Sequence, residues 1–130
     1  KRIIEKIQNM LFPMEMIKVI VSHESAIILG RGANYVLHDE KEGLNIKLTA
    51  PFDYRVENIM KIRNLSKAKA KELVKDTDVE RADFINRFFT FDRDSRIKVP
   101  FDIVFNTKNL SSELICKSIF VFLDEKKKPA

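Results

Sequence analysis

Three short apolar runs, set among residues with helical spacing, constrain the fold of this chain more than any other feature. The runs cover residues 25–30, 44–50 and 102–106, and each ends at or beside a glycine, a proline or an asparagine. Runs of this length that are rich in Ile, Val and Leu are typical of strands. Strands that alternate with helices are joined by crossover connections and therefore lie parallel. The sequence predicts an α/β fold with a three-layer, mostly parallel sheet flanked by helices.

Helical spacing and capping residues fill the intervals between these runs. Apolar side chains recur at helical spacing over residues 2–11, and a second helix is predicted over 14–22, where the β-branched segment "IKVIV" would also suit a strand. The segment "GRGANYVLH" predicts a turn that opens a short helix. Residues typical of helix ends mark three more helices. Pro51 and Asn64 bound the first, Ser66 begins a long second helix, and Ser111 begins the last. The segment "DEKKKPA" after the last helix is predicted to be a solvated tail.

Length and residue types narrow the class of protein. The 130 residues suffice for one core, so we expect 1–130 to form a single domain. No apolar stretch approaches the roughly 20 residues of a membrane span, and no signal peptide is recognisable. A single cysteine excludes an internal disulfide, which fits a cytoplasmic location. The net charge of +5 favours anionic partners such as nucleotides, nucleic acid or acidic surfaces.

The histidines and the cysteine are too few for a His/Cys metal cluster, and we predict no metal site in this chain. Cys116 lies in a helical pattern with Leu114 and Ile115, which predicts a core side chain rather than a nucleophile. His23 and His38 lie near the ends of predicted elements. We expect structural or solvated roles for both histidines.

An arginine between two glycines stands where the first predicted strand ends. In open α/β sheets, ligands bind beyond the carboxyl ends of the strands. Gly30 and Gly32 would let the backbone approach a ligand closely, and the planar guanidinium of Arg31 matches phosphate oxygens. Two interpretations stay open from these residues: a phosphate clamp, or a solvated arginine in a turn that glycine permits.

Two charged residues interrupt the apolar stripe of the long helix. On a helix over residues 66–90, Arg81 falls in the middle of that stripe and Asp78 at its edge. A charge in an apolar stripe is costly unless it is paired or meets a ligand. Because Asp78 and Arg81 are three residues apart, they are able to pair. The arginine is therefore either in a local ion pair or directed at a cleft and held there by the aspartate.

The last apolar run ends in two polar residues, Asn106 and Thr107. These side chains could hydrogen-bond a base or a ribose, or they could form a polar turn that caps the next helix. Both interpretations stay open at this point.

Taken in order, these segments resemble the cytidylate kinase-like family of P-loop nucleoside monophosphate kinases, over roughly residues 14–121. The most specific part is "AIILGRGANYVL", which is similar to the family's strand followed by Gly-Arg-x-Ala. "IKLTAPFDYRVENIM" follows at a similar spacing, and "TDVERADF" resembles the family's lid segment with its Asp-x-x-Arg. "FDIVFNTKNLSSE" is similar to the family's last strand and turn.

The resemblance implies a P-loop kinase-like fold and ATP-dependent phosphorylation of a nucleoside monophosphate, CMP, with ATP and Mg²⁺ as cofactors. It implies that Arg31, between Gly30 and Gly32, binds the phosphate of the acceptor. It also implies that Arg81, carried by a lid over about 66–98, neutralises charge on the transferring phosphoryl group, and that Asp78 orients Arg81 or meets the acceptor.

Four further positions receive roles from the same resemblance. Arg55 and Arg63 match arginine-bearing positions of the helix before the lid, which implies substrate binding. Asn106 and Thr107 would lie near the adenine of the donor.

The sequence departs from the family pattern at one important place. The first strand and the phosphate loop G-x-x-x-x-G-K-[ST] are absent from the 130 residues. We therefore expect an incomplete sheet, in a chain that begins about a third of the way into the family pattern and is inactive by itself. The missing strand would leave open strand edges, which "IKVIV" or a second copy of the chain would fill, so a homo-oligomer is one expectation.

Two other functions stay open from the sequence. A degenerate kinase-like module could bind a nucleotide or a partner protein without chemistry. A basic nucleic-acid-binding domain is disfavoured, because Lys67, Lys69 and Lys71 are spaced by two and scatter around a helix instead of forming one basic stripe.

Overall fold

The computed structural model describes residues 15–23, 25–30, 32–89 and 101–129. Chain contacts group into two compact units, Lys1–Gly43 with Ile85–Val99 and Leu44–Phe84 with Pro100–Ala130. The elements in chain order are α1 (15–23), α2 (Ala33–Val36), β1 (Ile46–Thr49), α3 (Phe52–Arg63), α4 (Lys67–Phe89), β2 (Ile103–Asn106) and α5 (Ser112–Lys127).

Strands β1 and β2 form a two-stranded parallel sheet in the described part of the chain. Ile46 pairs with Ile103 and Thr49 pairs with Asn106, so both strands end at the same edge. The connection from β1 to β2 runs through α3 and α4, as a parallel pair requires. The predicted α/β class and the predicted parallel direction are therefore confirmed, and so are the strands within 44–50 and 102–106.

The prediction of a strand over residues 25–30 is wrong. These residues join no strand ladder, and the side chains of Ile27 and Leu29 are 94% and 87% exposed. The apolar composition of the run indicates a preference for extended backbone, but a strand also needs a partner that lies far away in the sequence. The three-layer sheet predicted from three runs is accordingly a two-stranded sheet within the described residues.

The core of the second unit lies between α3 and α4. Val56 is 1% exposed and packs with Ala70 and Val74 of α4, which are 0% and 5% exposed. Val56 shares its face of α3 with Phe52, Ile59 and Met60, at the spacing expected for one side of a helix, and these residues pack against the same cluster together with Leu65. This packing holds the two helices together next to the carboxyl end of β1.

Helix ends follow the predicted capping residues. Asn64 ends α3 in the left-handed conformation with φ 51°, the Ser66 hydroxyl accepts a hydrogen bond from Lys69 N at 3.4 Å, and Ser111 accepts one from Leu114 N at 3.2 Å. Residues 15–23 are helical, so "IKVIV" is helix rather than strand. The predicted helix over 2–11 lies outside the described residues.

Two predictions about the last helix are wrong. Helix α5 continues to Lys127, so the first four residues of "DEKKKPA" are helical rather than part of a tail. Cys116 is exposed rather than buried. Successive residues on a helix are about 100° apart, so burial of Ile115 turns its neighbour away from the core. Over the stretches that the structure describes, no helix has both the length and the apolarity to span a lipid bilayer.

Candidate functional site

The candidate site lies at the edge where β1 and β2 end. Thr107 donates two hydrogen bonds to the carbonyl of Thr49, from its backbone N at 2.8 Å and from its hydroxyl at 3.2 Å. The next carbonyl, that of Ala50, accepts a hydrogen bond from Nε of Arg55 at 3.2 Å. The last peptide groups of β1 therefore connect the turn after β2 to the first turns of α3.

Arg55 forms a two-pronged ion pair with Asp78 of α4. Its Nη1 and Nη2 donate to Oδ1 and Oδ2 of Asp78 at 2.8 and 2.9 Å. The guanidinium carbon also lies 5.8 Å from the ring centre of Phe52. Both charged side chains are partly exposed, at 33% for Arg55 and 42% for Asp78. Three of the five N–H groups of Arg55 are thus used, and the plane of the guanidinium is fixed.

The ion pair keeps both partners charged. The hydrogen bonds from Arg55 lower the pKa of Asp78, partial burial opposes this shift, and the charges of Arg55 and Arg81 add to the lowering. The hydrogen bond to Asp78 raises the pKa of Arg55, again against partial burial. At neutral pH the cluster of Arg55, Asp78 and Arg81 therefore carries two positive charges and one negative charge.

Arg81 is exposed and lies one turn after Asp78 on α4. Helix α4 is unbroken through residues 76–78, so the predicted spacing of Asp78 and Arg81 holds. Asp78 and Arg81 do not pair directly, because both oxygens of the Asp78 carboxylate accept hydrogen bonds from Arg55. Within the described residues, the side chain of Arg81 makes no hydrogen bond, and it acts on Asp78 only through its charge. Its guanidinium is thus available to an anion.

Arg63 does not join this cluster. It is the last residue of α3, two turns and about 12 Å along the helix axis beyond Arg55. Its side chain is exposed, and among the described residues it has no hydrogen-bond or ion-pair partner. The structure brings Arg55 together with Asp78 and Arg81, and leaves Arg63 at the other end of its helix.

Asn106 and Thr107 form a polar turn. Oδ1 of Asn106 accepts a hydrogen bond from Lys108 N at 3.0 Å, and the backbone carbonyl of Asn106 accepts from Asn109 N at 3.2 Å. The side chain of Asn106 is thus bonded within the turn, as in the turn interpretation of the sequence, whereas the hydroxyl of Thr107 donates to the carbonyl of Thr49 at the end of β1.

The described residues do not by themselves form a complete site for the phosphates of ATP or for a Mg²⁺ ion. No group of three or more His, Cys, Asp or Glu side chains comes together in the part of the chain that the structure describes. The polar groups at the ends of β1 and β2 already bind one another. The described residues therefore support no reaction step through either cofactor.

The glycines of Gly-Arg-Gly are required by their backbone conformation. Gly30 and Gly32 have φ angles of 71° and 66°, in the left-handed region that glycine adopts most easily. Gly32 is the N-cap residue of α2, the short helix that the sequence predicts after this turn. An added Cβ at Gly30 would meet no atom within 4 Å, so backbone strain rather than crowding favours glycine there. Arg31 lies outside the described residues.

The two histidines have local roles. His23 Nδ1 lies 2.9 Å from the carbonyl of Val19, and His38 Nδ1 lies 2.8 Å from the carbonyl of Tyr35. Both contacts are made within one turn of the chain, as expected for structural or solvated histidines.

The fold and this cluster define a class: small α/β proteins with a cationic site at the carboxyl edge of a parallel sheet, where such sheets bind ligands. The chain belongs to the cytidylate kinase-like family, whose family model matches residues 3–109. That match confirms the resemblance noted in the sequence and gives a kinase-like, nucleotide-binding character in general. No curated protein and no solved structure matches the chain significantly.

Proposed function

We propose that this chain forms the acceptor side of an ATP-dependent nucleoside monophosphate kinase, with CMP as the acceptor. The family match over residues 3–109 supports a kinase. The observation that carries the proposal is the cationic cluster at the carboxyl edge of the sheet, in which Asp78 neutralises Arg55 and Arg81 remains exposed. Phosphoryl transfer needs positioning and positive charge more than a covalent nucleophile, and an exposed arginine on a fixed helix supplies both.

Each arginine has a separate role in this proposal. Arg81 neutralises negative charge on the phosphoryl group that is transferred, and it also attracts the phosphate of the acceptor that receives this group. Arg31, held between Gly30 and Gly32, binds the phosphate of the acceptor through its planar fork. The lid predicted over about 66–98 carries Arg81, and its residues 90–98 lie outside the described residues. Arg63 is also proposed to bind the substrate, from the far end of α3.

The donor side needs groups that these 130 residues do not provide. The sequence contains no G-x-x-x-x-G-K-[ST] loop, the element that surrounds the β- and γ-phosphates of a nucleotide. When bound, ATP supplies the phosphoryl group and Mg²⁺ offsets its charge. We propose that residues outside this sequence hold both, in a cytoplasmic enzyme, and that the 130-residue chain alone binds the acceptor without phosphorylating it.

Calorimetric titration with CMP, UMP and AMP tests the proposal. We expect CMP to bind the wild-type chain, and we expect Arg81→Ala to weaken that binding by about tenfold, the effect of losing one charge-assisted contact. The matched control is Arg87→Ala, which removes another exposed arginine from the same helix and should leave the affinity unchanged. Absence of heat with all three monophosphates would overturn the acceptor site.

A binding module without catalysis is the second candidate, and the missing phosphate loop is the observation that favours it. The coding sequence upstream of Lys1 separates the two. A phosphate loop encoded there supports the kinase, whereas an upstream sequence without one supports the module. Phosphate transfer from ATP to CMP by the 130-residue chain at an ordinary rate would contradict both the module and the inactivity proposed for the chain alone.

A further inference from the structure

Asp78 occupies a position on α4 where the packing of that helix changes. Val74 is buried against α3, and beyond Val74 no described side chain of α4 is buried. Asp78 follows Val74 by one turn and is held by Arg55 through two hydrogen bonds of 2.8 and 2.9 Å. The ion pair therefore extends the attachment of α4 one turn past its apolar core, up to the turn that carries Arg81.

Arg55 is itself anchored at the sheet edge. Its Nε donates to the carbonyl of Ala50 at 3.2 Å, and its guanidinium lies over Phe52. Ala50 directly follows β1, so a continuous chain of contacts runs from the end of the strand through Arg55 to Asp78. A two-pronged arginine–carboxylate pair fixes orientation as well as distance. The direction of α4 at Asp78 is thereby set relative to the carboxyl edge of the sheet.

The charges of the cluster separate the roles of its members. Both oxygens of Asp78 accept hydrogen bonds from Arg55, so the carboxylate and the guanidinium neutralise each other. The charge left over is that of Arg81, whose side chain is exposed and makes no hydrogen bond among the described residues. A phosphate that approaches the cluster is attracted by Arg81, whereas the Arg55–Asp78 pair carries no net charge.

We propose that Asp78 is a positioning residue that acts on the acceptor through Arg55 and Arg81, and that it does not itself touch the substrate. This inference rests on the proposed function, because it concerns how Arg81 is presented to the monophosphate. The family resemblance implies that Asp78 either orients Arg81 or meets the acceptor, and the two hydrogen bonds from Arg55 favour the first of these roles. Asp78 joins α4 to Arg55, and Arg55 joins that helix to the end of β1.

Double-mutant cycles on CMP affinity test this inference. Asp78→Asn in the wild-type background should weaken CMP binding by about fivefold to tenfold, within the usual range of coupling between contacting residues. The same substitution in an Arg55→Met background should cause no weakening, because the attachment is already broken. It should also cause no weakening in an Arg81→Ala background, because the group that it positions is gone. Asp78→Glu, which keeps the charge on a longer side chain, should recover part of the affinity.

The outcomes distinguish this inference from the proposed function. If the wild-type chain binds no monophosphate, the proposed function fails and this inference fails with it. If the wild-type chain binds CMP but Asp78→Asn weakens binding by the same factor in all three backgrounds, Asp78 contacts the substrate and only this inference is overturned. Circular dichroism of every variant checks folding. Should Asp78→Asn not fold, Asp78→Glu takes its place in the same cycles, with the same criterion deciding.

Discussion

Replacing Asp78 with asparagine should destabilise the fold by a modest and calculable amount. The substitution keeps the shape of the side chain and removes its charge, so it leaves Arg55 without its two-pronged partner. At the observed N–O distance of 2.8 Å, two unit charges attract by about 1.5 kcal/mol in water and about 6 kcal/mol at an effective dielectric constant of 20. Because the side chain of Asp78 is 42% exposed, solvent screening brings the expected loss down to about 1 kcal/mol.

Urea unfolding at pH 7, followed by circular dichroism at 222 nm, measures this loss. The free energy of unfolding should fall by about 1 kcal/mol, which corresponds to a drop in Tm of roughly 3–5 °C for a chain of this size. Asp76→Asn is the matched control, since Asp76 is an exposed aspartate of the same helix and should give a change within about 0.5 kcal/mol.

The effect should also depend on pH in a defined direction. The folded-state pKa of Asp78 is lowered by Arg55, so the pair contributes stability above the unfolded value of about 3.9 and loses it as pH falls through the folded value. The difference between the wild-type chain and Asp78→Asn should therefore be full at pH 7 and shrink below pH 4. A difference that is independent of pH, or one no larger than that of Asp76→Asn, would show that the ion pair does not stabilise the fold.

Three further predictions concern local structure. Asn64 ends α3 with φ 51°, a left-handed conformation that glycine adopts more easily than alanine. In urea unfolding, Asn64→Ala should therefore lower the free energy of unfolding by about 1 kcal/mol, whereas Asn64→Gly should leave it unchanged. Equal losses for the two variants would contradict the left-handed cap. Ser111→Ala removes the cap of α5 and should cost about 1 kcal/mol in the same assay, whereas Ser111→Asp should restore it. Cys116 is exposed, so a disulfide-exchange reagent should modify one thiol per native chain without denaturant. A thiol that reacts only after the chain is unfolded would show that Cys116 is buried in the core.

Signals that act within a few residues predict much of the fold. Asn64, Ser66 and Ser111 mark helix ends correctly because a capping residue bonds to the backbone of its own helix. The two paired strands are recognisable because each is a short apolar run next to turn residues. Residues 25–30 have the same local signal and no ladder, since pairing depends on a partner elsewhere in the chain.

The candidate site is predictable only in part, for the same reason. The three-residue spacing of Asp78 and Arg81 correctly places them one turn apart on a helix, but that spacing says nothing of Arg55, which lies 23 residues before Asp78. No local pattern connects these two residues, and Arg55 is indicated only by resemblance to the family. The burial of Val56 against α4 is what brings Arg55 into reach, and it is a property of the packed helices rather than of either segment.

The proposed function depends on guanidinium groups of this chain binding the phosphate of a nucleoside monophosphate. Nuclear magnetic resonance of the arginine Nε–H signals during a titration with CMP observes these groups individually. We expect the signals of Arg31 and Arg81 to shift and to saturate at the same CMP concentration, while the signal of Arg87 stays in place. Shifts of equal size at all arginines, or no shift at Arg31 and Arg81, would rule out phosphate binding by these two side chains.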